Sequence, residues 1–159
     1  MSITIISERL SFGGQSSCKP HKPGQAVVHA CKEPCHRSAV GYDTKSLAST
    51  HPLYLAHRQG QDLYLNLIDP PVPLFKRESF EIALGFMHEA YKAGSVHIHC
   101  NQGQSRAPSL ALLLMAKRLG TLPNASYAEA RAAFERMHPY MPGDGIARFL
   151  AENWHQLDS

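Results

Sequence analysis

A cysteine and an arginine enclose five residues in His99-Cys100-Asn101-Gln102-Gly103-Gln104-Ser105-Arg106. The stretch lies between a short β-prone run, Ser95-Val96-His97-Ile98-His99, and an apolar segment that reads as a helix from about Ala107 to Leu119. A loop that opens a helix carries backbone N–H groups with no internal partner. Those groups converge on an anion, with the helix dipole behind them. Gly103 supplies the backbone freedom such a cradle needs. Arg106 adds a planar fork that grips two phosphate oxygens at once. A cysteine at the focus of this field is favoured as thiolate, with a pKa of about 3.5–7.5 in such settings. A thiolate beside a bound phosphoryl group is a nucleophile toward phosphorus. Cys100 and Arg106 are thus the expected catalytic pair. Asn101, Gln102, Gly103, Gln104, Ser105 and Arg106 are the expected substrate-binding residues.

The elements that must position this loop are legible mainly from Asp62 onward. Leu63, Leu65 and Leu67 alternate with Tyr64, Asn66 and Ile68, which predicts a buried strand. Asp69-Pro70-Pro71 ends it, because proline cannot continue a ladder. From Glu78 to Ala93, Phe80, Ala83, Leu84, Met87 and Tyr91 share one helical face, and Gly94 terminates the helix. The segment after Arg106 is apolar almost all round, so it reads as a buried helix with Pro108 in its first turn. Ser126 and Glu129 have capping-box spacing, with Ala130, Ala133, Phe134 and Met137 as the inner face of the helix that follows. A last helix starts near Asp144 or Gly145 and carries Ile146, Phe149, Leu150 and Trp154 on one side. Earlier in the chain, Ile3–Ile6 and Ala26–Ala30 read as strands, with turns at Gly13-Gly14 and Pro20 to Gly24. Lys32 to Gln61 has little periodicity and reads as loop with a short helix. Strands alternating with helices predict an α/β fold: a central, mostly parallel sheet flanked by helices on both faces, in a single domain spanning residues 1–159. Ligands of such sheets bind at the carboxyl ends of strands, where the Cys100 loop falls.

His-Cys, five residues, Arg resembles the signature of the protein tyrosine phosphatase superfamily. Met137-His138-Pro139-Tyr140-Met141-Pro142-Gly143-Asp144-Gly145-Ile146 is similar to the segment before the last helix of its dual-specificity members. The resemblance covers about Asp62 to Trp154, and Ala26–Ala30 matches the family's early core strand. It implies a phosphatase that hydrolyses phosphomonoesters, phosphotyrosine or phosphoserine/threonine in proteins, through a phosphocysteine intermediate. It implies no metal and no cofactor. It also implies a general acid on a loop roughly thirty residues before the cysteine, a placement that Asp69 fits. A poor leaving alkoxide or phenoxide needs such an acid. Asp62 is the other candidate, but it precedes the strand and belongs at the opposite end of the sheet. One departure is Ala107, where the family has Ser or Thr whose hydroxyl eases breakdown of the phosphocysteine; slow second-step turnover is expected. Another is the neutral Gln102-Gly103-Gln104, which disfavours phosphoinositide headgroups.

The chain has 159 residues, 43% hydrophobic and 18% charged, with a net charge of +3 and a pI near 8.7. Mild basicity suits anionic substrates, but no dense Lys/Arg run or basic-aromatic stripe marks a nucleic-acid groove. No apolar run reaches the roughly 18 residues of a membrane span, and no secretion signal is evident, so a cytoplasmic location with reduced thiols is expected. His97, His99 and Cys100 make an unconvincing metal set, since no fourth ligand is evident. Cys31, Cys35 and His36 form a loose cluster without a second ligand pair at finger spacing; alternatively, Cys31 or Cys35 pairs with Cys100 against overoxidation. Competing functions are a phosphate- or phosphopeptide-binding module with little turnover, which Ala107 motivates, a rhodanese-like sulfurtransferase, and an RNA 5′-phosphatase.

Overall fold

The computed structural model describes residues 3–20 and 22–158. Six strands, β1 (Ile3–Ser7), β2 (Leu10–Gly13), β3 (Ala26–His29), β4 (Ala56–Gln59), β5 (Asp62–Leu65) and β6 (Val96–His99), form one sheet. Its spatial order is β1-β2-β6-β3-β5-β4. The inner four strands are parallel and the two edge strands antiparallel. The mostly parallel sheet is thus as expected, and β6, which leads to Cys100, lies inside it with a parallel neighbour on each side.

Alternation along the strands gives the sheet two unlike faces. Leu10, Phe12, Ala26, Val28, Leu63, Leu65, Val96 and Ile98 belong to the hydrophobic core. That face is covered by α2 (Arg77–Ala93) and α3 (Arg106–Leu114). Behind them lie α4 (Tyr127–Glu135) and α5 (Asp144–Asn153). Every residue of α3 is buried, which explains its uniform apolarity. Phe75, Phe80 and Phe149 pack ring against ring between α2 and α5. The Ser126 side chain accepts from the Glu129 N–H at 3.1 Å, as the capping spacing predicts. Helix α4 stops at Glu135, however, and Met137 lies beyond it, 61% exposed; it is not part of the inner face.

The other face carries Ser11, His29, Asp62, Tyr64, His97 and His99. It is covered by a kinked turn, Lys32–His36, and the four-residue α1 (Arg37–Val40). Three strands differ from expectation. Gly13 ends β2 rather than opening a turn, and β4 lies in the stretch without periodicity. The strand read from Leu63 to Ile68 is ordered as a ladder only to Leu65. Leu67 is nonetheless buried, and its carbonyl accepts from Lys32 N at 2.9 Å. Among the described residues no helix is long and apolar enough to cross a membrane.

Candidate active site

Cys100 follows the last residue of β6 and is 2% exposed. Its Sγ accepts hydrogen bonds from the N–H of Gly103 at 3.3 Å and of Ala107 at 3.4 Å. The loop therefore wraps the sulfur as the sequence pattern requires, with N–H donors aimed at a group that carries negative charge when ionised. The wrap needs glycine at its tip. Gly103 has φ +74°, and a Cβ there would lie 2.7 Å from Gly13 C and 2.9 Å from Gly14 N. The platform beneath is the end of β2: Cys100 N donates to Gly13 O at 3.2 Å and Gln15 N to Asn101 O at 3.1 Å. Gly13, Gly14 and Gln15 were not foreseen in this role, because Gly13-Gly14 reads locally as a turn.

Arg106 opens α3 and is 8% exposed. Its Nη1 donates to Leu67 O at 2.9 Å and its Nη2 to Asn101 Oδ1 at 2.7 Å. A guanidinium has five N–H donors. Nε is buried and has no hydrogen-bond partner among the described residues. A buried, unsatisfied donor is costly unless a ligand completes it. The side chain is thus held by two protein acceptors, and the residue lines the cavity beside Cys100. Asn101 is fixed in turn, since its Nδ2 donates to Glu33 O at 2.8 Å.

Asp69 is exposed and lines the same cavity, of about 350 Å³, as Cys100, Asn101, Gln102, Gln104 and Arg106. A Cβ on Gly143 would come within 2.7 Å of Asp69 Oδ1, so the carboxylate lies directly over the turn that begins α5. That turn is tied to the loop: Gly143 N donates to Ser105 Oγ at 2.9 Å and Met141 N to Gln104 O at 2.9 Å. The structure therefore brings Asp69, Cys100 and Arg106 to one cavity. Asp62 is elsewhere, with its Oδ1 2.8 Å from His29 Nε2. Gly103 contributes its N–H to the sulfur, while its surface faces a neighbouring cavity.

No side-chain hydroxyl follows Arg106, since Ala107 offers only its backbone N–H to the sulfur. Ser109 does not substitute. Its hydroxyl is 2.7 Å from that of Tyr140, which in turn is 2.8 Å from that of Tyr127. Burial, followed by the neighbouring Tyr127, pushes the Tyr140 phenol well above its ordinary range. Tyr140 is core, and it does not line the cavity.

Behind the loop the polar face of the sheet is occupied. His97 lies between the hydroxyls of Ser11 (2.8 Å) and Ser17 (2.9 Å). His99 Nε2 is 2.7 Å from His29 Nδ1 and 3.8 Å from Cys35 Sγ. A hydrogen bond from Cys31 lowers the Cys35 pKa, with further help from His29, His99 and Gln15 against the opposing effect of burial. The same bond raises Cys31, and burial adds to this.

No protein-family model matches the chain, and no curated protein matches it. Solved structures do. Human DUSP28 aligns over 99% of this chain and 95% of its own, with 15% identity and a TM-score of 0.68. The human tyrosine phosphatase-like serine/threonine/tyrosine-interacting protein aligns over 99% and 98%, with 18% identity and a TM-score of 0.66. The Yvh1 phosphatase domain from Chaetomium thermophilum aligns over 99% of both, with 16% identity and a TM-score of 0.60. The likeness extends to the region before Asp62, where the sequence shows little resemblance. A cysteine loop between a central parallel strand and a buried helix, within a sheet matched end to end by these structures, gives this chain the dual-specificity-type fold of the protein tyrosine phosphatase superfamily.

Proposed function

We propose that the protein is a cysteine-dependent phosphatase acting on phosphomonoesters of proteins, phosphotyrosine or phosphoserine/threonine. The observation that carries this reading is the single cavity lined by Asp69, Cys100 and Arg106, with loop N–H groups aimed at the Cys100 sulfur. In the first step the Cys100 thiolate attacks phosphorus. An S–P bond forms, the P–O bond to the leaving group breaks, and Asp69 gives its proton to the departing oxygen. Arg106 and the loop N–H groups stabilise the equatorial oxygens through both steps. In the second step Asp69 takes a proton from water, the oxygen attacks phosphorus, and the S–P bond returns its electrons to Cys100. The exposed Met141 beside the cavity offers an apolar contact to a phosphotyrosine ring. One observation favours a second reading, a phosphopeptide-binding module with little turnover: the sulfur has no hydroxyl partner at Ala107. A structural neighbour whose name says phosphatase-like is in keeping with it.

The test is hydrolysis of an aryl phosphate under reducing conditions by the wild type, Cys100→Ser and Asp69→Asn. Activity abolished by the first substitution and reduced about 10²–10⁴-fold by the second supports the phosphatase. A wild type that binds vanadate but releases no phosphate moves the assignment to the binding module.

A further inference from the structure

We propose that the protein holds one divalent transition-metal ion of the zinc type on the polar face of its sheet, ligated by His29, Cys35 and His99. The site is separate from the phosphate cavity and does not rest on its reading. The three residues come from different parts of the chain: His29 ends β3, His99 ends β6, and Cys35 sits in the turn that follows β3. All are buried, and their donor atoms lie within 4.8 Å of one another. The parallel pairing of β3 with β6, which sets His29 opposite His99, brings to Cys35 two histidine donors that no spacing in the sequence reveals.

The ring nitrogens are placed to receive a cation. His29 Nε2 lies 2.8 Å from Asp62 Oδ1, so it carries a hydrogen and donates it to the carboxylate. His99 Nδ1 lies 3.4 Å from the Cys100 carbonyl oxygen, an acceptor, so its favourable state there is also N–H. His29 Nδ1 and His99 Nε2 thus face each other across 2.7 Å, a gap that one proton or one metal ion can bridge. A metal ion between the two nitrogens satisfies both rings together. Tetrahedral zinc, with ~2.05 Å to nitrogen and ~2.3 Å to sulfur, asks for about 3.3 Å between the nitrogens and about 3.6 Å from nitrogen to sulfur. The observed 2.7 Å between the nitrogens must open by about 0.6 Å, and the 3.8 Å from His99 Nε2 to Cys35 Sγ close by about 0.2 Å.

The surroundings also fit. A carboxylate on the outer nitrogen of a ligating histidine is the usual orienting partner, and Asp62 occupies that place on His29. Gln15 Nε2 donates to Cys35 Sγ at 3.5 Å, which supports a thiolate. A shallow cavity of about 540 Å³ reaches His29, Cys35 and Asp62 from solvent and gives an ion access. Imidazole and thiolate donors select zinc-type ions over magnesium or calcium. A metal here would tie the turn carrying Cys35 to the strand that carries Cys100.

The test uses the full chain, stripped with chelator under reducing conditions and titrated with Co²⁺ and then Zn²⁺. The expected result is one equivalent of Co²⁺ with a thiolate-to-cobalt charge-transfer band and the intense visible bands of tetrahedral cobalt, all lost on adding Zn²⁺. Asp62→Asn, which leaves the ligands in place, should weaken binding about 10–100-fold, and Cys35→Ser should remove the charge-transfer contribution of that thiolate. Cys100→Ser should bind as the wild type does. Wild-type protein with no thiolate–cobalt band, or binding that Cys100→Ser abolishes and Cys35→Ser spares, would overturn the proposal. The wild-type spectrum decides the matter even where a variant fails to fold.

Discussion

Replacing Gly103 by alanine should damage both stability and turnover, and the two losses can be separated. At φ +74° an L-residue pays a backbone penalty of roughly 1–2 kcal/mol. The added methyl group would also lie 2.7 Å from Gly13 C and 2.9 Å from Gly14 N. Neither atom can easily give way, because Gly13 is the last residue of β2, paired with His99, and its carbonyl accepts from Cys100 N. Overpacking against such a wall adds about 1–3 kcal/mol, for a total of roughly 2–5 kcal/mol. Gly60 is the internal control: it has φ +60° and nothing within 4 Å of an added Cβ. Gly60→Ala should therefore cost only the backbone part, about 1–2 kcal/mol. Urea unfolding of both variants measures the difference. Aryl phosphate turnover then tests the cradle. Displacing the Gly103 N–H from its 3.3 Å contact with the sulfur should cost about 10²–10³-fold, the usual effect of losing one such donor, while Gly60→Ala stays near wild type. Equal destabilisation by the two substitutions, or wild-type turnover in Gly103→Ala, would refute the reasoning.

Ala107→Ser should place a hydroxyl beside the sulfur and speed breakdown of the phosphocysteine, raising steady-state turnover about tenfold and shrinking any burst; an unchanged burst amplitude would count against it. Tyr140→Phe removes the middle member of the Ser109–Tyr140–Tyr127 chain and should cost about 1–3 kcal/mol in urea unfolding, with turnover little affected. The buried His36 has its pKa lowered, chiefly by burial, with Nε2 2.8 Å from Leu53 O and Nδ1 3.0 Å from Tyr42 Oη. The unfolded chain therefore binds a proton that the folded chain resists. His36 contributes its full stability above the ordinary histidine pKa of about 6.5 and loses it as pH falls below that value. Unfolding measured between pH 7.5 and 5.5 should show stability falling with pH, and His36→Gln should flatten part of that slope; an identical slope would contradict it.

The chemistry was legible because the loop is contiguous in sequence. Cys100, Gly103 and Arg106 lie within one turn-and-helix start, and local rules set their geometry. The helices were legible for a similar reason, since α2, α3 and α5 bury regular faces. What sequence reading missed depends on partners far along the chain. Leu10-Ser11-Phe12-Gly13 is four residues long and ends at a glycine pair, so only its pairing with β1 and β6 shows it to be a strand. Ala56–Gln59 is a polar, half-exposed edge strand whose order comes from β5. Leu67 serves Arg106 through its backbone carbonyl, a role independent of its side chain. The histidines are the clearest case. No spacing in the sequence links His29, His97 and His99 to their partners, which appear only when β2, β3 and β6 lie side by side. Met137 was misplaced because its spacing continues a helix that ends two residues earlier.

The most direct test of the central claim is to trap the covalent intermediate. Wild-type protein mixed with an aryl phosphate is quenched in acid within the first turnover, digested, and analysed by mass spectrometry for phosphate on the peptide containing Cys100. The account predicts phosphocysteine at Cys100 that accumulates because Ala107 leaves the second step unassisted, with none in Cys100→Ser. Phosphate released with no label on Cys100, or released equally by Cys100→Ser, would contradict it.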